Sequence, residues 1–148
     1  VLGAQLGLLS WEPRERLVPN ADDVAAGQAV LAALRESRAP TWVIASGYPA
    51  FVAAGAPVTA PSHALTDIFK SRQEDVKRRL REEVSQAIRE RRFATIVLDR
   101  AIGFLPIDVG DEIRRHYRLR TRLFAEDDPR LWPRTGARVR PDEFWVAP

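Results

Sequence analysis

The sequence predicts an α/β domain: a small, mainly parallel sheet of four to five strands flanked by helices, Rossmann-like and three-layered, in a single domain. Three observations predict it. Helical segments and short apolar segments alternate along the chain, as repeated strand-helix-strand units require. The runs Thr41 to Ala45 and Ala94 to Leu98 are apolar without alternation, the pattern of strands buried on both faces. A chain of 148 residues that is 45% hydrophobic and 29% charged is long enough to bury a core without covalent staples.

Taken in order, residues 1–20 read as a lead-in and residues 21–148 as the domain. Leu2, Ala4, Leu6 and Leu8 alternate as in a strand, although a frayed helix fits equally, and Pro13 and Pro19 then break any regular element. Asn20 is a good N-cap for a helix from Ala21 to Ser37, with Val24, Ala25, Ala29, Leu31, Ala32 and Leu34 as its apolar face. A strand over Thr41 to Ala45 follows, then a Gly turn, a short helix over Tyr48 to Ala54 stopped by Gly55, and an extended stretch through Pro57 and Pro61. Ser62 caps a short helix over His63 to Phe69.

Residues 72–92 form the clearest helix, with Val76, Leu80, Val84, Ala87 and Ile88 as its buried stripe. Glu74/Arg78, Asp75/Arg79 and Arg79/Glu83 are spaced as i,i+4 ion pairs, and the charge run reads as a solvated face. Ala94 to Leu98 is the second buried strand. Asp108 to Arg115 reads as a helix, with Asp108, Asp111 and Glu112 placed where capping and the helix dipole explain them. Tyr117 to Phe124 alternates as a strand, residues 126–140 are loop, and Glu143 to Val146 is a last strand, antiparallel or at an edge.

Composition excludes several function classes. There is no Cys, so neither a disulfide nor a thiolate metal site exists, and the compartment stays open. The pI near 9.9 reflects arginine content, because 23 basic against 20 acidic residues leaves only +3; nucleic acid is not an expected partner. The apolar opening Val1 to Leu9 falls short of the roughly 20 residues that span a bilayer and lacks a signal peptide's basic start. The chain begins Val1-Leu2 and contains no Met, from which a piece of a longer protein is expected.

In an open parallel sheet, ligands bind beyond the C-terminal strand ends. The residues there are Ser46, Gly47 and Tyr48 after the first strand and Asp99 after the second, with His63 and Asp67 four apart on one helix face. Ser46-Gly47 can present backbone N–H groups, Tyr48 a ring for a sugar face, and His63 and Asp67 hydrogen bonds to hydroxyls. The bland alternatives are a tight turn at Gly47 and a polar anchor at His63/Asp67. His63 and His116 are the only histidines, too few for a zinc site with these spacings, so neither metal nor cofactor is expected. A triad of Ser62 or Ser46, His63 and Asp67 or Asp99 can be written down, but neither serine sits in G-x-S-x-G, so no catalytic residue is assigned. The four Trp residues are scattered and read as packing.

With these residues in view, the succession WEPRERLVPNADDVAAGQAVLAALR, WVIASGYPAFVAAGAPVTAPSHALTDIF and ATIVLD resembles the soluble tail of bacterial multi-spanning glycosyltransferases of the dolichyl-phosphate-mannose-protein mannosyltransferase type, in the GT-C superfamily. Glu12-Pro13, Pro19 to Asp22, Tyr48-Pro49, Ala54-Gly55, His63 and Asp67 stand at the places of that pattern, over about two thirds of the chain from Ala4 to Asp99. Two positions depart from it: Ala56 stands where Lys follows Ala-Gly, and Pro61-Ser62 precedes the His. The resemblance implies a domain on the extracytoplasmic side of the cell membrane, C-terminal to a membrane part that holds the polyprenyl-phosphate-sugar site. Such a domain is non-catalytic alone, acts in acceptor recognition or stability, and has the membrane part and a glycan or peptide acceptor as partners. Excised, it is expected to be a monomer or a weak dimer through Val1 to Leu9. The alternative is a free-standing sugar-binding or small-molecule-binding module, or a small enzyme, with its site at the strand ends.

Overall fold

The structure is a computed structural model; it describes residues 18–44, 62–99, 107–132 and 140–148, with the backbone alone at 62–64, 66 and 107. Four helices and four strands are described: α1 Ala21–Arg35, β1 Thr41–Ile44, α2 Ser62–Lys70, α3 Glu74–Arg89, β2 Thr95–Asp99, α4 Ile107–His116, β3 Arg118–Arg122 and β4 Pro141–Val146. The expected helix at Tyr48 to Ala54, the extended stretch at Ala56 to Pro61 and most of the lead-in lie outside the described residues.

The strands form one mixed sheet in the order β1-β2-β4-β3. Only β1 and β2 pair in parallel, whereas β4 runs antiparallel to both β2 and β3. The expectation of a mainly parallel sheet is therefore corrected to a mixed one. The last strand does not sit at an edge but inserts between β2 and β3, so β1, β2 and β3 share a direction while just one of the three pairings is parallel. Short-range pattern cannot reveal this, because pairing partners are chosen across the whole chain.

Alternation along the strands sorts the core into two halves. On one face Trp42, Ile44, Ile96, Leu98 and Trp145 pack under α2, α3 and α4 through Leu65, Ile88, Val109 and Ile113. On the other, Val43, Val97 and Phe144 meet Ala26, Val30 and Leu34 of α1, together with Phe124. Side chains such as Ile88, Ile96 and Ile113 are wholly buried, each contributing about 1.5–3 kcal/mol of transfer free energy.

α1 begins where the sequence places it, because its start signal is local. The Asn20 side chain accepts from Asp23 N–H at 2.8 Å and the Asp23 carboxylate accepts from Asn20 N–H at 3.3 Å, a reciprocal capping box. Its buried row differs from expectation. Ala26, Val30 and Leu34 face the sheet, and Val24 is exposed. In α3, Val76 is likewise exposed, and the ion pairs form at i,i+3 as Lys77–Glu74 and Arg78–Asp75 instead of at i,i+4. Two of its arginines reach α4, Arg81 to Asp108 at 3.2 Å and Arg89 to Glu112 at 3.8 Å, so part of the charge run ties two helices together.

β3 is an exposed edge strand, and the alternation of Tyr117, Leu119, Thr121 and Leu123 does not define one buried face. Tyr117 precedes the strand and is buried, its hydroxyl donating to Phe93 O at 2.9 Å; Leu119 is exposed, and a register shift between Leu119 and Thr121 breaks the period beyond it. α3 ends in a double C-terminal turn, with Arg92 N–H donating to Ala87 O and Arg91 N–H to Ile88 O, both at 3.0 Å. The residue in the left-handed position is Arg91, at φ 54°.

Candidate functional site

The chain leaves β1 at Ile44 and β2 at Asp99 on the same edge of the sheet, because the two strands are parallel and in register. The antiparallel β4 enters at Pro141, opposite Asp99, so three connections meet at this edge. The sequence places its candidate site here. Ser46, Gly47 and Tyr48 lie outside the described residues, and His63 is in the first turn of α2 with only its backbone described. Asp67 is exposed on α2, and Asp99 is buried. α2 packs through Leu65 on the Trp42/Ile96 face, whereas strand alternation puts Asp99 with Val97 on the α1 face. The two candidate side chains that are described therefore belong to different faces of the sheet.

What does gather at this edge is a group the sequence reading leaves unassigned: Arg140, Asp142 and Glu143, all buried at the start of β4 beside Asp99. A register shift between Leu98 and Asp99 leaves Asp142 as the extra residue, and its carboxylate accepts from Phe124 N–H at 3.0 Å. Glu143 accepts from Arg122 Nε at 2.8 Å and from Trp145 Nε1 at 3.0 Å. Arg140 donates to the carbonyls of Asp128 at 2.7 Å, Ala125 at 3.3 Å and Arg130, and its guanidinium lies 4.1 Å from the Phe124 ring centre and 5.2 Å from that of Trp132. Asp99 and Asp142 are engaged as well.

The loop that Arg140 gathers is stiffened by its own charges. Asp128 caps Arg130 N–H at 2.9 Å and grips the Arg130 side chain at 2.6 Å, which holds the Asp128 carboxyl down at about 2 and raises Arg130. Leu131 N–H, at a residue with φ 58°, donates to Asp23 Oδ1 at 3.1 Å and so pins the loop to the first turn of α1. The chemistry of this cluster is that of a brace. Its carboxylates bind backbone N–H groups, an indole and guanidinium groups, and its arginine binds carbonyls. The local signal was the string Arg-Pro-Asp-Glu before Phe-Trp-Val, which reads as a polar loop and is in fact the buried entry of a central strand.

Among the described residues no group of three His, Asp or Glu side chains is placed to hold a metal ion, and no helix is long and apolar enough to cross a membrane. His116 lies at the far edge of the sheet, 3.1 Å from Glu112, and is not within the strand-end group. No protein-family profile, curated protein or solved structure matches the chain.

Proposed function

We propose that this chain is the extracytoplasmic C-terminal α/β domain of a membrane glycosyltransferase that uses a polyprenyl-phosphate-sugar donor, and that the domain recognises the acceptor or stabilises the parent without catalysing transfer itself. The observation that carries this reading is the order of motifs from Trp11 to Asp99, in which Glu12-Pro13, the helix opened by Asn20, Tyr48-Pro49, Ala54-Gly55, His63 and Asp67 follow one another as in such tails. The local structure is in keeping with it: the capped α1, β1, α2 and then β2, which pairs in parallel with β1, follow one another along the chain. We read the arrangement as Rossmann-like, with β4 as an antiparallel insertion. A recognition or supporting role also accords with the use of Asp142 and Glu143 as internal acceptors.

On this reading the acceptor, a glycan or peptide, meets the domain beyond the strand ends, with Ser46, Gly47, Tyr48, His63 and Asp67 as its proposed contacts; Asp99, the sixth sequence candidate, is buried on the other face of the sheet. The partner is the membrane part of the same polypeptide, and the location is the outer side of the cell membrane. The reading frame upstream of Val1 tests the assignment. Eight or more apolar segments of about 20 residues are expected, and a start codon next to Val1 overturns it in favour of a free-standing binding module. An NMR titration with acceptor-like glycans and short peptides tests the site. Shifts at Ser46, Gly47, Tyr48, His63 and Asp67 are expected, and shifts confined to the basic helix α3 overturn the placement.

A further inference from the structure

The opposite edge of the sheet has a chemistry of its own. There α1, α3 and α4 end and β1, β2 and β3 begin, so residues 35–38, 89–92 and 111–120 lie together. These segments hold nine arginines against four acidic residues, a balance of +5 in a chain whose total is +3. Two structural causes account for part of it. Arginines in the last turn complement the helix dipole, and charges along an edge strand such as β3 block strand addition. Most of these arginines are also paired, as Arg92 is with Glu90 at 2.6 Å and Arg115 with Glu112 at 3.4 Å.

Neither cause explains a hollow of about 770 Å³ at this edge, lined by Arg38, Arg118, Arg120, Glu36 and Thr95 with the end of β4. Arg38 and Arg118 have no acidic partner among the described residues, and Arg120 meets Glu36 only at 3.6 Å, with both side chains about half exposed or more. Thr95 is 1% exposed, and its hydroxyl has no hydrogen-bond partner. An arginine fork is matched to the oxygens of a phosphate, and a hollow of this size falls in the range of small-molecule sites. Two guanidinium groups without a carboxylate among the described residues, Arg38 and Arg118, thus line the cavity together with the loosely paired Arg120.

We propose that this hollow binds a phosphate group carried on a larger molecule, with Arg38, Arg118 and Arg120 as its cations and the Thr95 hydroxyl as a further donor. The site is independent of the glycosyltransferase reading, which rests on the other edge and on motif order, so failure here leaves that reading standing. The phosphate belongs to a lipid headgroup or to a soluble phosphorylated compound. The test uses the full 148-residue chain. Inorganic pyrophosphate is titrated by NMR, and binding is measured to vesicles of phosphatidylglycerol in phosphatidylcholine and to phosphatidylcholine alone.

Shifts at Arg38, Thr95, Arg118 and Arg120, with a tenfold or greater loss of binding in Arg38→Ala/Arg118→Ala and less than twofold in Arg91→Ala, are the expected result. Binding to anionic vesicles with weak pyrophosphate shifts assigns the headgroup source. Saturable pyrophosphate shifts without vesicle binding assign the soluble one. Absence of both, or an equal loss in Arg91→Ala, overturns the site and reduces the edge to general electrostatics. The substituted side chains are at the surface, and an unchanged circular dichroism spectrum confirms that each variant is folded.

Discussion

Replacing Arg140 by alanine should destabilise the domain more than any surface substitution. The guanidinium is buried, donates to three carbonyls and lies against the faces of Phe124 and Trp132. A net hydrogen bond from a charged donor stabilises by about 1.5–3 kcal/mol, and a desolvated cation over a ring adds about 1–2 kcal/mol. These terms are not additive, because the carbonyls share one donor group, but removing one member of a buried charged network costs about 3–5 kcal/mol. Against a total of about 5–15 kcal/mol for a domain, that is a large fraction. Arg140→Met keeps much of the stem's packing on Phe124 while removing every donor, so it should lose about 2–3 kcal/mol and divides the two contributions. Equilibrium urea unfolding, followed by circular dichroism so that changes around Trp132 do not distort the signal, gives both values. A loss below about 1 kcal/mol for Arg140→Ala would refute the brace, since that is what an exposed ion pair contributes.

Three further outcomes are expected. Arg91→Gly should stabilise by up to about 1 kcal/mol in the same urea assay, because Arg91 occupies the left-handed C-terminal position of α3 at φ 54°, where glycine relieves the Cβ clash. Thr95→Val should raise stability by about 1 kcal/mol in phosphate-free buffer, since it replaces a buried hydroxyl that has no partner with a methyl of the same shape. Acid unfolding should show Asp128: its carboxyl titrates at about 2 when folded against 3.8 when unfolded, so its contribution is present above about 4 and lost as pH falls toward 2. In Asp128→Asn the decline of stability between those values should be shallower.

How far the sequence reaches depends on how local each determinant is. The start of α1 was legible because Asn20 and Asp23 cap it within three residues. Its buried face was not, because alanines at 25, 26, 29, 32 and 33 make every side of the helix acceptably apolar and the sheet selects the row Ala26, Val30 and Leu34. β1 and β2 were legible as uninterrupted apolar runs, α3 as an amphipathic one, and α4 as a short helix with carboxylates in its first turns. β4 was read two residues short, because Pro141-Asp142 looks like loop; a proline is tolerated there since it sits opposite a register shift at Asp99. The order β1-β2-β4-β3 had no local signal at all. At the strand ends the edge itself was anticipated from parallel pairing. The Arg140 brace was not, because its partners are carbonyls of a loop that carry no sequence signature.

The proposed role of this domain is to serve a membrane glycosyltransferase without performing the transfer. The measurement that tests it most directly compares sugar transfer from a polyprenyl-phosphate donor by three preparations: the full-length parent in membranes, the parent lacking residues 21–148, and the isolated 148-residue chain. Transfer by the parent, reduced acceptor selectivity or reduced stability of the shortened parent, and no turnover by the isolated chain are expected from the proposed role. Turnover by the isolated chain, or a shortened parent indistinguishable from the full one in rate, acceptor preference and stability, would contradict it.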